Sequence, residues 1–349
     1  MSNAAKAGYR RVRAGALAAS LLIGGGLTAC SSSGSPAAAG ASPSDAGSAQ
    51  PVSVTNVTLN IGDQAGSGAQ ALLTAAGLIS KLPFKAHWAD FTSGPPMLQA
   101  EASGSVDIGS VGDAPPVFAA AGGSQIAVVG ALKANPGATA LLVPKDSPVR
   151  SVAQLKGKSI AVAQGSSSNY HILATLTKAG LSVKDVSLDY LQPADALAAF
   201  SSGHVAAWDV WTPFIEQAEN QYHARVLING ANVGNTYSFV VASRAALGDP
   251  AKEAAIKDYL QLLDQAYVWA GQHQSVWAAT WAKATGLPLA VMTQAVKDDQ
   301  TTPVSITPAV ISSEQSVANA FSTAGLIPTK IDFSNFAVTT FNGVIGGTS

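Results

Sequence analysis

The sequence predicts an α/β protein in which largely parallel sheets are flanked by helices. Short apolar runs typical of buried strands alternate with longer segments whose apolar residues recur at helical spacing. The connections between these segments are short and rich in glycine, as is usual in layered α/β arrangements. A strand at 237–241 is expected to return the chain to the layer that it leaves after residue 145. We therefore predict two lobes.

The composition describes a globular protein with no electrostatic affinity for nucleic acid. Of the 349 residues, 47% are hydrophobic and only 12% are charged, and the net charge is −1. Nucleic-acid binding relies on an excess of Lys and Arg, so we exclude that class of partner. After the N-terminal segment, no run approaches the roughly 20 apolar residues that span a membrane.

The N-terminus is predicted to be a targeting segment followed by a tether. Basic residues precede a short apolar run, and Leu27-Thr28-Ala29-Cys30 has the pattern of a bacterial lipobox. We assign residues 1–29 to a lipoprotein signal peptide and predict a lipid on Cys30, the only cysteine. Residues 30–54 are almost entirely Ser, Ala, Gly and Pro, which is typical of a flexible tether. The folded part is therefore expected at the extracytoplasmic face of the cell membrane.

The first lobe is predicted to start with strand–loop–helix units. A strand at 57–61 leads through a glycine-rich loop at 62–68 into a helix. Asp113 precedes two prolines, an order that suits a helix cap and a first helical turn. The strands predicted in this part are 57–61, 84–91, 106–111, 126–129 and 140–144. We place the first crossover just after the last of them, at residue 145.

The second lobe is predicted between residues 146 and 240. Ser151 and Gln154 form a capping box at its first short helix. Its predicted strands are 159–163, 188–191, 205–211 and 225–228, and a strand at 237–241 returns the chain to the first lobe. The first lobe thus comprises 55–145 plus 241–349. The C-terminal part is predicted to be helical, with Trp277 and Trp281 in its core.

The segment 165–171, Gly-Ser-Ser-Ser-Asn-Tyr-His, lies between a predicted strand and a predicted helix. The first N–H groups of a helix have no acceptor within the helix, and the helix dipole is positive there. Serine hydroxyls add donors without adding charge, so this junction suits a small oxyanion without requiring Lys or Arg. The alternative is a capped loop that binds no ligand, because serine-rich caps are common.

Several runs resemble the aliphatic-sulfonate-binding proteins of ABC importers, a group with nitrate- and taurine-binding members. The matching runs are GDAPPVFAAAG at 112–122, LVPKDSP at 142–148, LKGK at 155–158, 193–208 and the 315–328 run that ends in GLIP. The resemblance covers nearly all of 55–335. It implies a two-lobed periplasmic-binding-protein-like fold of type II, with the ligand in the cleft between lobes. It also implies a monomeric, non-enzymatic protein that delivers a small anionic solute to permease and ATPase subunits.

The resemblance also implies which residues bind the ligand. Gln64 matches a glutamine of the first loop, and Gly112 and Asp113 match the Gly–acid pair before the double proline. The loop of Gly165, Ser166, Ser167 and Ser168 resembles a sulfonate cradle, and Trp211 matches a tryptophan that stacks on an apolar tail. Thr212 departs from the Trp-Asp-Pro pattern of the family. Because an acid there would meet the amine of taurine, Thr212 argues against taurine as the ligand.

Alternatives to a small organic sulfonate stay open at this point, among them nitrate or taurine as the ligand. A heteroaromatic ligand, such as a thiamine-pyrimidine precursor, would stack between Trp208, Trp211 and Tyr237. Asp113 and Asp209 are candidate partners for a cationic group on the ligand. An enzyme would need a Ser–His171 pair, but we expect His171 on a helix surface or as a ligand donor. The five histidines are scattered without metal-ligand spacing, so neither a metal nor a cofactor is expected.

Overall fold

The computed structural model describes residues 52–64, 68–231 and 236–347. The signal peptide, Cys30 and most of the tether lie outside these residues, so the lipid anchor stays a prediction. The middle of the first glycine-rich loop, 65–67, also lies outside them. None of the helices in the described part has the length and apolar character to cross a membrane.

Strands and helices alternate through the first two thirds of the described chain, as predicted. The strands are β1 (Thr58–Gln64), β2 (Lys85–Phe91), β3 (Ile108–Gly112), β4 (Ile126–Lys133), β5 (Thr139–Val143), β6 (Ser159–Val162), β7 (Ser187–Tyr190), β8 (Ala207–Trp211), β9 (Arg225–Asn229), β10 (Tyr237–Ser243) and β11 (Thr302–Val304). The α-helices are α1 (Ala69–Ala75), α2 (Gly94–Ala102), α3 (Ala114–Ala121), α4 (Ser167–Lys178), α5 (Pro193–Ser201), α6 (Phe214–Tyr222), α7 (Arg244–Leu247), α8 (Pro250–Gln272), α9 (Gln274–Thr285), α10 (Leu289–Asp299) and α11 (Pro308–Thr323).

The strands form two sheets. The first has the order β11-β4-β10-β3-β1-β2 and the second has the order β7-β6-β8-β5-β9. In the first sheet, β1 is parallel to β2 and β3, whereas β10 is antiparallel to both of its neighbours. In the second, β6 is parallel to β7 and β8, and β5 is antiparallel to β8 and β9. The two-lobed α/β prediction is confirmed, with the addition that each sheet is mixed.

The reversed strands mark where the chain passes between sheets. It leaves the first sheet after β4 and enters the second at β5, and it returns between β9 and β10. Our predicted boundaries at 145 and 240 lie after these passages. The prediction therefore assigned β5 to the first lobe and the start of β10 to the second, whereas each strand joins the other sheet. An apolar run predicts that a strand is buried, but it does not say which sheet the strand joins.

The first sheet packs against the C-terminal helices. Asp249 caps α8 by accepting from the N–H groups of Ala251 and Lys252, and Pro250 occupies the first turn. Tyr259 and Leu263 of α8 are fully buried in the same apolar cluster as the strands. Trp277 and Trp281 stack in this cluster with ring centroids 4.9 Å apart. Their predicted place in the core is confirmed.

Candidate functional site

A cavity of about 440 Å³ is lined by residues that follow strands of both sheets. Gln64 ends β1, Gly112 ends β3, and Ser166 and Ser167 follow β6 at the start of α4. All four line the cavity, together with Asp113. The described parts of the three glycine-bearing loops thus meet at one place, at the carboxyl ends of their strands, as predicted.

The contacts of the loop before α4 place two of its three serines at the cavity. Gly165 has φ +71°, a left-handed conformation that glycine tolerates best, and its N–H donates to Asn169 Oδ1 at 3.0 Å. The Ser166 hydroxyl donates to the carbonyl of Ala163 at 2.7 Å and caps the helix. Ser168 is completely buried. Of the predicted cradle, Ser166 and Ser167 line the cavity, whereas Gly165 and Ser168 lie outside its lining.

Gly112 and Asp113 lie against Ser167. A Cβ on residue 112 would be 1.8 Å from Ser167 Oγ, so only glycine permits this approach. Asp113 caps α3 by accepting from the N–H of Ala114 at 2.8 Å, and its carboxyl also hydrogen-bonds to Ser167. Burial raises the pKa of Asp113 to about 7, although the Ser167 hydroxyl, the Ala114 N–H and His171 lower it. The site therefore contains an acid that holds its proton unusually well.

Gln64 and its neighbours form the opposite wall. The Gln64 Nε2 donates to the carbonyl of Ser110 at 2.7 Å, which ties β1 to β3. Asp63 accepts from the N–H of Ala69 at 3.0 Å and supports the start of α1. Ser110 lines the cavity, and its Oγ has no hydrogen-bond partner among the described residues. Sequence reasoning missed Ser110 because it lies inside an apolar strand.

The second sheet contributes a buried ion pair. His171 Nδ1 lies 2.7 Å from Asp209 Oδ2, and both side chains are almost inaccessible to solvent. Burial lowers the pKa of His171, but the Asp209 carboxylate outweighs this effect and raises the pKa above its ordinary value. Our placement of His171 on a helix surface is therefore wrong. Asp209 does not line the cavity, so it is not available to a cationic group of a ligand.

Trp211, Tyr170 and Tyr237 give the cavity an aromatic wall. Trp211 is partly exposed and meets Phe214 edge-on, with ring centroids 5.8 Å apart. Trp208 is buried beside Phe214 and does not line the cavity. The expected stacking of a ring on Trp208 is therefore excluded by its position.

Thr212 lines the cavity, and its hydroxyl donates to Glu216 Oε1 at 3.0 Å. The Thr212 hydroxyl is therefore hydrogen-bonded to the first turn of α6, the helix that follows. The Thr212 backbone N–H donates to the carbonyl of Ala138 at 3.0 Å. Whether Thr212 meets a ligand stays a prediction.

The cavity also extends along the C-terminal helices, which sequence reasoning had assigned to the core alone. The additional lining residues are Tyr267, Val268, Gly271, Gln274, Trp277, Trp281, Asp299, Gln300, Thr301 and Thr302. Neither Lys nor Arg occurs among the described lining residues, whose ionisable members are Asp113, His171, Asp299 and three tyrosines. Within the described ranges, no group of three or more His, Cys, Asp or Glu is placed to hold a metal.

Comparison with known proteins settles the family. The family model described as NMT1/THI5 like matches residues 94–275. The chain belongs to the NMT1/THI5-like family. This NMT1/THI5-like chain is 37% identical over 282 residues to an aliphatic sulfonates-binding protein of Escherichia coli strain K12, covering 78% of the chain and 86% of that relative. The resemblance inferred from the sequence runs is confirmed.

Two solved structures share the fold of this NMT1/THI5-like protein. The alkanesulfonate-binding protein SsuA from Xanthomonas axonopodis pv. citri, bound to MOPS, is 33% identical with a TM-score of 0.77. The match covers 83% of this chain and 99% of that one. The periplasmic aliphatic sulphonate binding protein SsuA from Escherichia coli is 36% identical, with a TM-score of 0.71 over 80% of this chain and 91% of that one.

Proposed function

We propose that this NMT1/THI5-like protein is the extracytoplasmic solute-binding protein of an ABC importer. Its ligand is a small organic sulfonate of the alkanesulfonate type or a similar oxyanion. The observation that carries the proposal is the meeting of three strand ends at one cavity, whose described lining offers hydroxyls and amides but neither Lys nor Arg. The names of the relatives at 33–37% identity support a sulfonate as the ligand.

In this proposal the anionic head group lies between the start of α4 and the end of β3. Ser167 donates its hydroxyl, and the first N–H groups of α4 point toward the anion. Gln64, Ser110, Gly112 and Asp113 complete the wall around it. A helix N-terminus contributes about 0.3–1 kcal/mol, and a hydrogen bond to a charged group about 1.5–3 kcal/mol. A few such contacts together reach the roughly 8 kcal/mol of micromolar binding.

The ligand tail would lie along the aromatic wall. Trp211 and Tyr237 offer ring surface, and the part of the cavity beside Trp277 and Trp281 leaves room for more than a methyl group. A volume of about 440 Å³ is at the lower end of ordinary small-molecule sites. These features favour a sulfonate with an aliphatic or ring-bearing tail over nitrate.

Delivery to the membrane belongs to the same proposal. Cys30 carries the lipid, the 30–54 segment is the tether, and the folded part works as a monomer that presents its solute to permease and ATPase subunits. The protein has no catalytic role in this scheme. Mass spectrometry of the membrane-bound protein tests the anchor, and Cys30→Ala is expected to release the protein into the medium.

Isothermal titration calorimetry tests the ligand class. The panel comprises 1-butanesulfonate, taurine, nitrate, sulfate and a thiamine-pyrimidine analogue. Binding of 1-butanesulfonate at micromolar concentration, with weaker binding of taurine, is expected because Thr212 replaces an acid. Binding of the pyrimidine with quenching of tryptophan fluorescence, and no competition from 1-butanesulfonate, favours the heteroaromatic alternative. If no anion in the panel binds, the sulfonate proposal is wrong.

A further inference from the structure

The proposed anion site contains a carboxyl group with no cation to pair with it. Asp113 is 2% exposed and lines the cavity beside Ser167. The three ion pairs among the described residues are Lys156–Asp185, His171–Asp209 and Lys252–Asp107, and none of them includes Asp113. An anion at Ser167 would therefore lie next to a buried acid.

Two adjacent negative charges in a buried site repel each other strongly. Pairs of buried carboxylates respond by sharing one proton, because neither water nor a cation is available to stabilise both charges. A sulfonate remains ionised at every pH at which the protein is folded, so it cannot supply that proton. The proton must then come to the protein from solvent.

We propose that Asp113 is protonated in the anion-bound protein and donates its O–H to the anion, so that binding takes up one proton. This inference rests on the proposed function. The carboxylate of Asp113, a proton from solvent and a monoanionic ligand combine into a complex whose net charge equals that of the free site with ionised Asp113. Asp113 thereby becomes a specificity-determining residue for anions that carry no proton.

The charged groups around Asp113 act in both directions, and the acids are in the majority. From α4, His171 lowers the pKa of Asp113, while Asp113 raises the pKa of Tyr170. His171 is already paired with Asp209 of β8, so its charge is balanced on the other side of the ring. Glu314 of α11 faces Tyr170 and adds further negative potential. No described Lys or Arg lines the cavity to offset these acids.

In the free protein, the protonated and ionised forms of Asp113 are about equally populated at neutral pH, since burial raises the pKa of Asp113 to about 7. A neighbouring anion raises that pKa further. The affinity for a sulfonate is therefore expected to fall about tenfold for each pH unit above 7 and to level off at lower pH. A phosphonate monoanion carries its own proton and can donate it to ionised Asp113, so its affinity is expected to depend less on pH.

The test is calorimetric titration of the full-length protein with 1-butanesulfonate between pH 5.5 and 9. Pairs of buffers with different ionisation enthalpies report the protons taken up, and the buffers must contain no sulfonate group. Uptake of about one proton at pH 8.5, and of almost none at pH 5.5, is expected from the pKa of Asp113. This measurement on the unaltered protein needs no variant to fold.

Asp113→Asn supplies the matched comparison, because an amide can still cap α3 and donate to the anion but cannot titrate. We expect weaker binding at pH 5.5 and no fall between pH 7 and 9. Asp195→Asn, at an exposed acid in the first turn of α5, should keep the unaltered pH profile. Loss of all binding in a folded Asp113→Asn protein would mean that an ionised carboxylate is required, and the proposal would be wrong.

Two further results would also overturn the inference. One is proton uptake that persists in Asp113→Asn, which would assign the proton to His171. The other is a pH-independent affinity of the unaltered protein. In both cases the sulfonate function itself survives. If 1-butanesulfonate does not bind at any pH, the proposed function fails first and the inference falls with it.

Discussion

Gly112 and Ser167 belong to different lobes, yet a Cβ on residue 112 would lie 1.8 Å from Ser167 Oγ. Gly112 ends β3 of the first sheet, and Ser167 starts the helix that follows β6 of the second. The missing side chain therefore lets the two halves of the cavity approach closely. This close approach places the Ser167 hydroxyl against the carboxyl of Asp113.

Gly112→Ala is expected to weaken 1-butanesulfonate binding by at least tenfold. The new methyl group must push Ser167 away, and the proposed anion contacts depend on that hydroxyl. Overpacking costs about 1–3 kcal/mol in a closed core, but here the two lobes can yield, so a smaller loss of stability is expected. Gly343→Ala is the control, because a Cβ there would meet nothing within 4 Å. Unchanged affinity in Gly112→Ala would contradict the role given to this contact.

Ser166→Ala is expected to lower the stability, whereas Ser167→Ala is expected to lower the affinity for the ligand. The Ser166 hydroxyl is used within the loop, so its loss should cost about 0.5–2 kcal/mol of stability, as for other helix caps. The Ser167 hydroxyl faces the cavity, and its loss should lower the affinity about tenfold or more, as expected for a hydrogen bond to a charged group. Thermal unfolding and calorimetric titration of both variants separate the two effects. A large fall in the melting temperature of Ser167→Ala would make that serine structural.

Local features of this site were predictable from sequence, whereas contacts across the fold were not. Asp113 caps α3 as predicted, because a cap depends on residues only a few positions apart. The pair of His171 with Asp209 joins residues 38 positions apart, and no spacing rule relates them. The sheet that β5 joins and the cavity-facing hydroxyl of Ser110 likewise depend on tertiary packing. The two-lobed arrangement was predicted from the late strand that returns the chain and from the runs that resemble relatives.

Gln192 connects the two lobes at one edge of the cleft. Its Oε1 accepts from Ser93 Oγ at 2.8 Å and from Thr92 Oγ1 at 3.0 Å. The two hydroxyls follow β2 of the first sheet, and Gln192 precedes α5 of the second lobe. The bonds exist only while the lobes are together at this edge. They therefore favour the conformation in which the cavity is formed.

Gln192→Ala is expected to weaken ligand binding about three- to tenfold through faster dissociation, although Gln192 does not line the cavity. Two neutral hydrogen bonds of about 0.5–1.5 kcal/mol each would weaken binding at least about fivefold, and the exposure of the Thr92 bond to solvent keeps the loss near this lower limit. Stopped-flow dissociation rates from intrinsic fluorescence would measure the effect. Gln217→Ala removes a comparable exposed bond within α6, to Gln221, and should leave the rate unchanged. Equal ligand dissociation rates in the two variants would show that the Gln192 hydrogen bonds do not hold the lobes together.

The buried carboxyl group of Glu216 is expected to make the stability of the ligand-free protein depend on pH. Burial, with a smaller contribution from the nearby Asp298 and Asp299, raises the pKa of Glu216 to about 7, although the Thr212 hydroxyl lowers it. Burial also raises the pKa of Asp299 to about 7. Between their ordinary pKa values and pH 7, these groups hold protons in the folded state that the unfolded chain has released. The folded state binds more protons in this window, so its stability falls as the pH rises from about 4.5 to 7.

Thermal unfolding followed by circular dichroism should therefore give a higher melting temperature at pH 5 than at pH 8. Glu216→Gln keeps an acceptor for the Thr212 hydroxyl but cannot ionise, so the difference between the two pH values should become smaller. Glu253→Gln, at an exposed acid in the first turn of α8, should leave the difference as it is. A melting temperature that rises from pH 5 to pH 8 would show that Glu216 and Asp299 are ionised at no cost in the folded protein. The acids between α6 and α10 would then require a cation that offsets their charge.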